Sequence, residues 1–218
     1  MCSQYALQTT KVPLLQDLDL QGAIPDSINQ RLLPKSLAPV IVLSGEKLKL
    51  TPMKFSLVPS WSQTPQVKFA THNARIESIL EKPTWKMPFV TQHCVVPMTS
   101  FFESAYSGPL AGNIIKFSRD NNQLLYAAGI FDFWKDHDKP ENSFFSFSVL
   151  TRDPSDFIIQ NGHDRTPIFI PPGFVKDWLS PLSKPGDEIK AELLKNAFHP
   201  DLKVDVDRAM KLGWEKRV

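Results

Sequence analysis

Cys2 directly follows Met1, and the 218-residue chain has one other cysteine, Cys94. A methionine aminopeptidase clears Met from before a small side chain, which would leave Cys2 as the N-terminus. Such a residue carries an amine and a thiol on adjacent carbons, with reference pKa values of about 7.7–8.0 and about 8.5. Both are partly deprotonated near neutral pH. With an aldehyde the amine forms an imine, and the thiol closes on it to give a five-membered thiazolidine. An internal cysteine cannot do this, because its nitrogen is an amide. The structural alternative is an incidental residue in a frayed tail.

Three other clusters could serve such chemistry. In Thr71-His72-Asn73-Ala74-Arg75-Ile76-Glu77, Asn73 and Arg75 stand where an extended segment is expected to enter a helix over Asn73–Glu81. Asn73 suits an N-cap there. Arg75 in a first turn opposes the helix dipole, which points to a task outside the helix such as a bidentate grip on a phosphate. Glu103 ends the apolar run Phe101-Phe102-Glu103-Ser104. It is either a solvent-facing charge at a strand end or a cleft carboxyl raised toward neutrality to act as acid and base. His163, in Gly162-His163-Asp164-Arg165-Thr166-Pro167, is either a loop histidine beside Asp164 or a proton shuttle and hydrogen-bond donor. No metal site is expected. His93 and Cys94 are neighbours on a strand and point to opposite faces, Asp136-His137-Asp138 has the character of a solvated acidic loop, and Cys94 fits a buried strand position. No cofactor is expected either.

The elements that must position these residues are mostly strands. Ser143–Leu150 alternates Phe145, Phe147 and Val149 with Ser146 and Ser148. Val40–Leu43, Lys54–Val58, Cys94–Phe102, Asn113–Phe117 and Leu124–Phe131 are rich in β-branched and aromatic residues. Helical spacing is found in Asp187–Phe198, with Asp187 and Glu188 suited to its N-terminal end. Pro154–Gln160 and Val175–Leu179 are candidates for shorter helices. Strands do not alternate with long helices. The expected fold is therefore α+β, a single domain with a curved, mainly antiparallel, barrel-like sheet flanked by short helices. Residues 1–180 form this domain, and 181–218 form a C-terminal helical extension packed on it or trailing from it.

Composition narrows the function. Lys+Arg is 25 and Asp+Glu 23, a formal charge of +2. That excludes a polycation coating nucleic acid and leaves room for a local basic groove. With 42% hydrophobic and 22% charged residues the chain is globular. Pro is 19 and Gly 9, and the phosphate-cradling patterns GxxxxGK[ST] and GxGxxG and the GxSxG elbow are absent. Two distant cysteines make no disulfide scaffold. No run approaches ~18 apolar residues, and no basic head precedes an apolar stretch. A cytoplasmic setting with free thiols, no membrane contact and no obligate protein partner is expected, and the protein is expected to be a monomer.

Taken in order, the clusters resemble the SOS-response-associated peptidase (SRAP) family, whose members crosslink to abasic sites in single-stranded DNA. The resemblance rests on Cys after Met1; Phe55-Ser56-Leu57-Val58-Pro59-Ser60-Trp61, similar to the family's Gly-Leu-Ile-Pro-x-Trp; and Asn73-Ala74-Arg75-Ile76-Glu77, like its Asn-Ala-Arg-x-Glu. It continues with Cys94-Val95-Val96-Pro97, Ala128-Gly129-Ile130-Phe131, Val149-Leu150-Thr151, and His163-Asp164-Arg165-Thr166-Pro167, like its His-x-Arg-Met-Pro. It spans Cys2 to about Leu179. It implies that Cys2 is the nucleophile and that Asn73 holds the N-terminal region and the abasic sugar. It implies that Arg75 binds a phosphate, that Glu103 is the acid/base opening the ring-closed sugar, and that His163 polarises the sugar oxygen. Trp61 would stack near bases, as suits single-strand binding.

The chain also departs from the family pattern. Gln4 replaces an arginine, with the loss of about one phosphate contact. The family's Gly-Phe-Tyr-Glu-Trp is Ser100-Phe101-Phe102-Glu103-Ser104 here, and Thr166 replaces Met. The expected partner is abasic single-stranded DNA, with weak lyase activity at the imine and a self-processing peptidase class in name. The rival activities are an N-terminal-nucleophile amidohydrolase and a non-catalytic single-stranded DNA-binding member of the family.

Overall fold

The computed structural model describes residues 3–180 and 184–217, so Cys2 lies outside the described residues. The strands are β1 (Gln4–Thr10), β2 (Leu20–Gln21), β3 (Ser27–Leu32), β4 (Leu37–Ser44), β5 (Lys47–Phe55), β6 (Asn73–Arg75), β7 (His93–Met98), β8 (Ser100–Ser104), β9 (Asn113–Ser118), β10 (Leu125–Trp134), β11 (Phe144–Arg152), β12 (Thr166–Pro167) and β13 (Lys203–Ala209). The helices are α1 (Lys11–Asp17), α2 (Pro83–Thr91), α3 (Asp156–Gln160), α4 (Val175–Leu179) and α5 (Gly186–Asn196). None is long and apolar enough to cross a membrane.

Five strands close into a barrel. β4 pairs with β5, β5 with β11, β11 with β10, β10 with β7, and β7 with β4. Only the β5–β11 contact is parallel. Closure leaves these strands no open edge. Many of their apolar residues, among them Ile41, Phe55, Val95, Ile130, Phe147 and Val149, are fully buried, each side chain worth about 1.5–3 kcal/mol. Gly129 is needed at the closest approach. A Cβ there would lie 2.9 Å from Cys94 Sγ and 3.0 Å from the Ser148 carbonyl oxygen. Burial pushes the Cys94 thiol far above its ordinary value, which makes it a core residue and no nucleophile.

A second sheet, in the order β13-β9-β8-β1-β3, is antiparallel throughout. It is joined to the barrel at Thr99, between β7 and β8, where the Thr99 N–H donates to the Ala6 carbonyl at 2.8 Å. Tyr5, Leu7, Phe101 and Phe117 on its inner face enter the core shared with the barrel. The expected α+β domain with a mainly antiparallel, barrel-like sheet is what forms.

Three local expectations are corrected. Asn73–Glu81 is not a helix: β6 is followed by a single 3₁₀ turn, Ile76–Ser78. Residues 73–75 pair in parallel with Val149–Thr151 of β11, and this ladder outweighs the helical spacing of Ile76, Ile79 and Leu80. The strand expected over Lys54–Val58 ends at Phe55, because Ser56 takes φ 118° and turns the chain off the barrel. The last stretch is helical in α5, but Lys203–Ala209 is a strand paired with β9. The alternation of Val204 and Val206 with Lys203, Asp205 and Asp207 was its signal.

Candidate functional site

β8 carries Glu103 into the interior. Side chains alternate along a strand, so Glu103 shares the inward face of Phe101 and is only 3% exposed. His163 reaches it from the loop between α3 and β12. Its Nε2 lies 3.0 Å from Glu103 Oε2, and its Nδ1 lies 3.1 Å from the Ser104 carbonyl oxygen. A carbonyl only accepts, so Nδ1 carries a proton and donates. Glu103 and Nε2 then face each other across a hydrogen bond with one proton to share. A buried pair of this kind can take a proton from one group and give it to another.

The loop holding His163 is fixed from two sides. Gly162 takes φ +87°, and a Cβ there would fall 2.2 Å from the Ser107 carbonyl oxygen. The Tyr106 N–H donates to the Gly162 carbonyl at 2.9 Å. This backbone-on-backbone contact requires glycine. On the other side, Arg165 Nη1 and Nη2 bond Glu77 Oε1 and Oε2 at 3.1 and 2.8 Å. Nη1 also bonds Asp153 Oδ1 at 2.8 Å. Such a fork holds direction as well as charge. Burial pushes the Glu77 carboxyl up, but its bond from Arg165 and the charges of Arg165 and Arg75 bring it below the ordinary value.

Residues 71–73 are held against β11. The His72 carbonyl accepts from the Val149 N–H at 3.0 Å, and the Ser148 hydroxyl donates to the Thr71 carbonyl. Asn73 is nearly buried, opposite Val149. The His72 ring lies edge-on to Phe55 at 5.9 Å, and Phe55 is edge-on to Tyr5 at 5.4 Å. Burial pushes the His72 imidazole down, while the charge of Glu103 pulls it up. His72 is therefore within electrostatic reach of Glu103. Sequence reasoning passed over it in favour of its neighbour Asn73.

The other candidates sit farther out. Arg75 is exposed at the end of β6. Trp61 is 59% exposed on the loop between β5 and β6. That loop is tied to β10 by Ser60 N–H to Asp132 Oδ2 at 2.7 Å and Trp134 Nε1 to the Ser62 carbonyl at 2.8 Å. Gln4 pairs with Phe102, so β1 begins beside Glu103. Gln4 Oε1 accepts from Arg31 Nη2 at 3.0 Å and Arg208 Nη2 at 3.4 Å. Arg31 also forks onto Asp207 at 2.9 and 2.8 Å and covers the Phe102 ring at 3.9 Å. The positive charge missing at position 4 thus stands next to it, on residues from β3 and β13.

Each of the two histidines borders a cavity. One, of about 580 Å³, is lined by His163, Tyr106, Pro154 and Ile159. The other, of about 450 Å³, has His72, Lys35 and Lys54 in its wall. Among the described residues no group of three His, Cys, Asp or Glu side chains could hold a metal ion.

Comparison with known proteins identifies the family and the fold. The family described as SOS response associated peptidase (SRAP) matches residues 1–209. Abasic site processing protein YoaM of Bacillus subtilis is 24% identical over 197 residues, covering 89% of this chain and 86% of its own. The mouse Abasic site processing protein HMCES is 28% identical over 159 residues, 55% of this chain and 44% of its own. A solved structure from Bacteroides thetaiotaomicron has a TM-score of 0.72 at 22% identity, covering 95% of this chain and 92% of that one. One from Bordetella bronchiseptica has a TM-score of 0.73 at 20% identity, covering 97% and 100%. The matched span takes in the barrel, the second sheet to the end of β13 and the Glu103–His163 pair, and the chain belongs to the SOS response associated peptidase family.

Proposed function

We propose that the protein crosslinks to abasic sites in single-stranded DNA through a thiazolidine on Cys2. The observation that carries this reading is the buried Glu103–His163 pair at 3.0 Å, next to the start of β1. Consecutive Cα atoms are 3.8 Å apart. Cys2 is two residues before Gln4, the residue that pairs with Phe102, and two residues of chain span at most about 7.6 Å.

The steps balance without a cofactor. Glu103 takes the proton from the anomeric hydroxyl while His163 supports protonation of the ring oxygen, and the sugar opens to its aldehyde. The α-amine of Cys2 adds to C1′ and water leaves, giving the imine. The thiol sulfur bonds the imine carbon, and its proton goes to nitrogen. This last step is intramolecular and gains from proximity. Asn73 holds the sugar, and Arg75, Trp61 and the Gln4 neighbourhood engage the strand. Elimination from the imine would cut the strand and give a weak lyase activity. Peptidase chemistry is confined to loss of Met1. The protein acts as a monomer in the cytoplasm.

The test uses protein whose Met1 removal is established by mass. Incubation with abasic single-stranded DNA should give a shifted band that survives heat, absent with undamaged DNA and absent for Cys2→Ala. Salt-dependent binding with no covalent product would leave a binding module. Glutamine hydrolysis without DNA would favour the amidohydrolase.

A further inference from the structure

We infer that the cavity beside His163 holds the nucleobase of the nucleotide adjoining the abasic sugar, stacked on Tyr106. The inference rests on the crosslinking reading above and adds a subsite to it. One ring edge of His163 faces Glu103 at 3.0 Å. The same imidazole lines the cavity of about 580 Å³, whose other walls include Tyr106, Pro154 and Ile159. A sugar reacting at Glu103 therefore has this cavity at its side. The next nucleotide is covalently tied to that sugar, so its base falls within one nucleotide's reach of His163.

The walls select a base over a phosphate. No Lys or Arg is among the lining residues, and the Asp164 carboxylate is, which disfavours an anion. Tyr106 presents a half-buried ring, its plane 29° from that of His163 with centroids 6.5 Å apart. Ile159 is 54% exposed beside it, apolar surface left uncovered in the chain alone. A flat aromatic face with an aliphatic flank is what a base of any identity stacks on. The platform is rigid, because the Tyr106 N–H is bonded to the Gly162 carbonyl and Gly162 packs against Ser107 without room for a Cβ. The cavity bordered by His72 has Lys35 and Lys54 in its lining instead, so cations and aromatic platform belong to different cavities.

The experiment uses single-stranded DNA with a tetrahydrofuran site, which cannot form an aldehyde, flanked by 2-aminopurine on one side or the other. Binding of the wild-type protein should quench the fluorophore on one side. Tyr106→Ala should restore the fluorescence and weaken binding about tenfold, within what one stacked base contributes. Tyr106→Phe should keep both. Ile159→Asp should also weaken binding, which covers the case that Tyr106→Ala fails to fold. Cys2 adduct formation by the wild type with 2-deoxyribose 5-phosphate, which has no neighbouring base, tests the crosslinking chemistry separately. No quenching on either side, or equal quenching in Tyr106→Ala, overturns the subsite. Failure of wild-type protein to form the sugar-phosphate adduct overturns the crosslinking reading, while the tetrahydrofuran measurement still decides the subsite.

Discussion

His163 and Arg165 stand two residues apart in one loop, each 5% exposed, and their surroundings are opposite. Arg165 is enclosed by protein charge, with its fork on Glu77 and a further bond to Asp153. His163 is fixed by the Ser104 carbonyl, meets Glu103 through Nε2, and borders a cavity large enough for a nucleoside. The motif His-x-Arg-x-Pro thus divides its labour. A charge whose partners lie within the fold holds the loop, and a titratable ring open to a cavity can exchange protons with a ligand.

The largest effect should come from Glu103, the partner of the open member of this contrast. Glu103→Gln preserves shape and removes the ability to take a proton. The rate of heat-stable crosslinking should fall about 10²–10⁴-fold, the usual worth of a positioned acid/base. The thermal midpoint should move by only a few degrees. A timed gel assay beside a melting curve checks both. A large loss of stability with unchanged rate per folded molecule would make Glu103 a structural residue and reverse the contrast.

The enclosed member should show the reverse pattern. Glu77→Gln leaves the guanidinium of Arg165 buried with a weakened partner set. Glu77 is itself half exposed, so the cost should be about 1–3 kcal/mol in urea unfolding rather than the 3–5 of a fully buried pair. Crosslinking per folded molecule should change less than threefold. The difference from wild type should also depend on pH. The folded carboxyl is depressed, so its contribution is complete above the unfolded value of about 4.3 and is lost as pH falls through the lower folded value. Gly162→Ala attacks the same loop through its backbone. With φ +87° and the Ser107 carbonyl 2.2 Å from the new Cβ, it should cost at least about 1 kcal/mol, with part of the crosslinking rate lost because His163 moves.

Glu103 and His163 were legible in the sequence because each stands at a break in a regular pattern, a charge ending an apolar strand and a histidine bounded by Gly162 and Pro167. Their contact was not legible, since no local signal pairs residues 60 positions apart. The barrel strands β7, β10 and β11, and β9 of the second sheet, were legible from period-two alternation or from enrichment in β-branched and aromatic residues. β6 was not, because three residues whose ladder partner is β11 carry no periodicity of their own. The spacing of Ile76, Ile79 and Leu80 mimicked a helix face although these residues face the barrel core or its edge from a single turn. His72 and Tyr106 escaped notice for a related reason. Each becomes part of a cavity wall only once the chain has folded.

The smallest effect should come from the outer side of β1. Arg31 bonds Gln4 and forks onto Asp207 of β13, and the bond from Arg31 is the main reason that the Asp207 carboxyl lies below its ordinary value. Arg31 is 38% exposed and Asp207 18%, so solvent screens the pair and it should contribute no more than about 1 kcal/mol. Asp207→Asn should lower stability by that amount at low ionic strength, and the loss should shrink in ~1 M salt, where the Debye length is about 3 Å. It should also vanish at a pH below the depressed carboxyl value, since the contribution is present above about 3.9 and disappears on acidification. The crosslinking rate decides what β13 does for the site. A fall of two- to threefold is expected, because Gln4 keeps its ladder partner Phe102 and loses only part of its side-chain anchor. A fall comparable to that of Glu103→Gln would mean that the tail strand, rather than the β1–β8 register, holds the nucleophile at the buried pair.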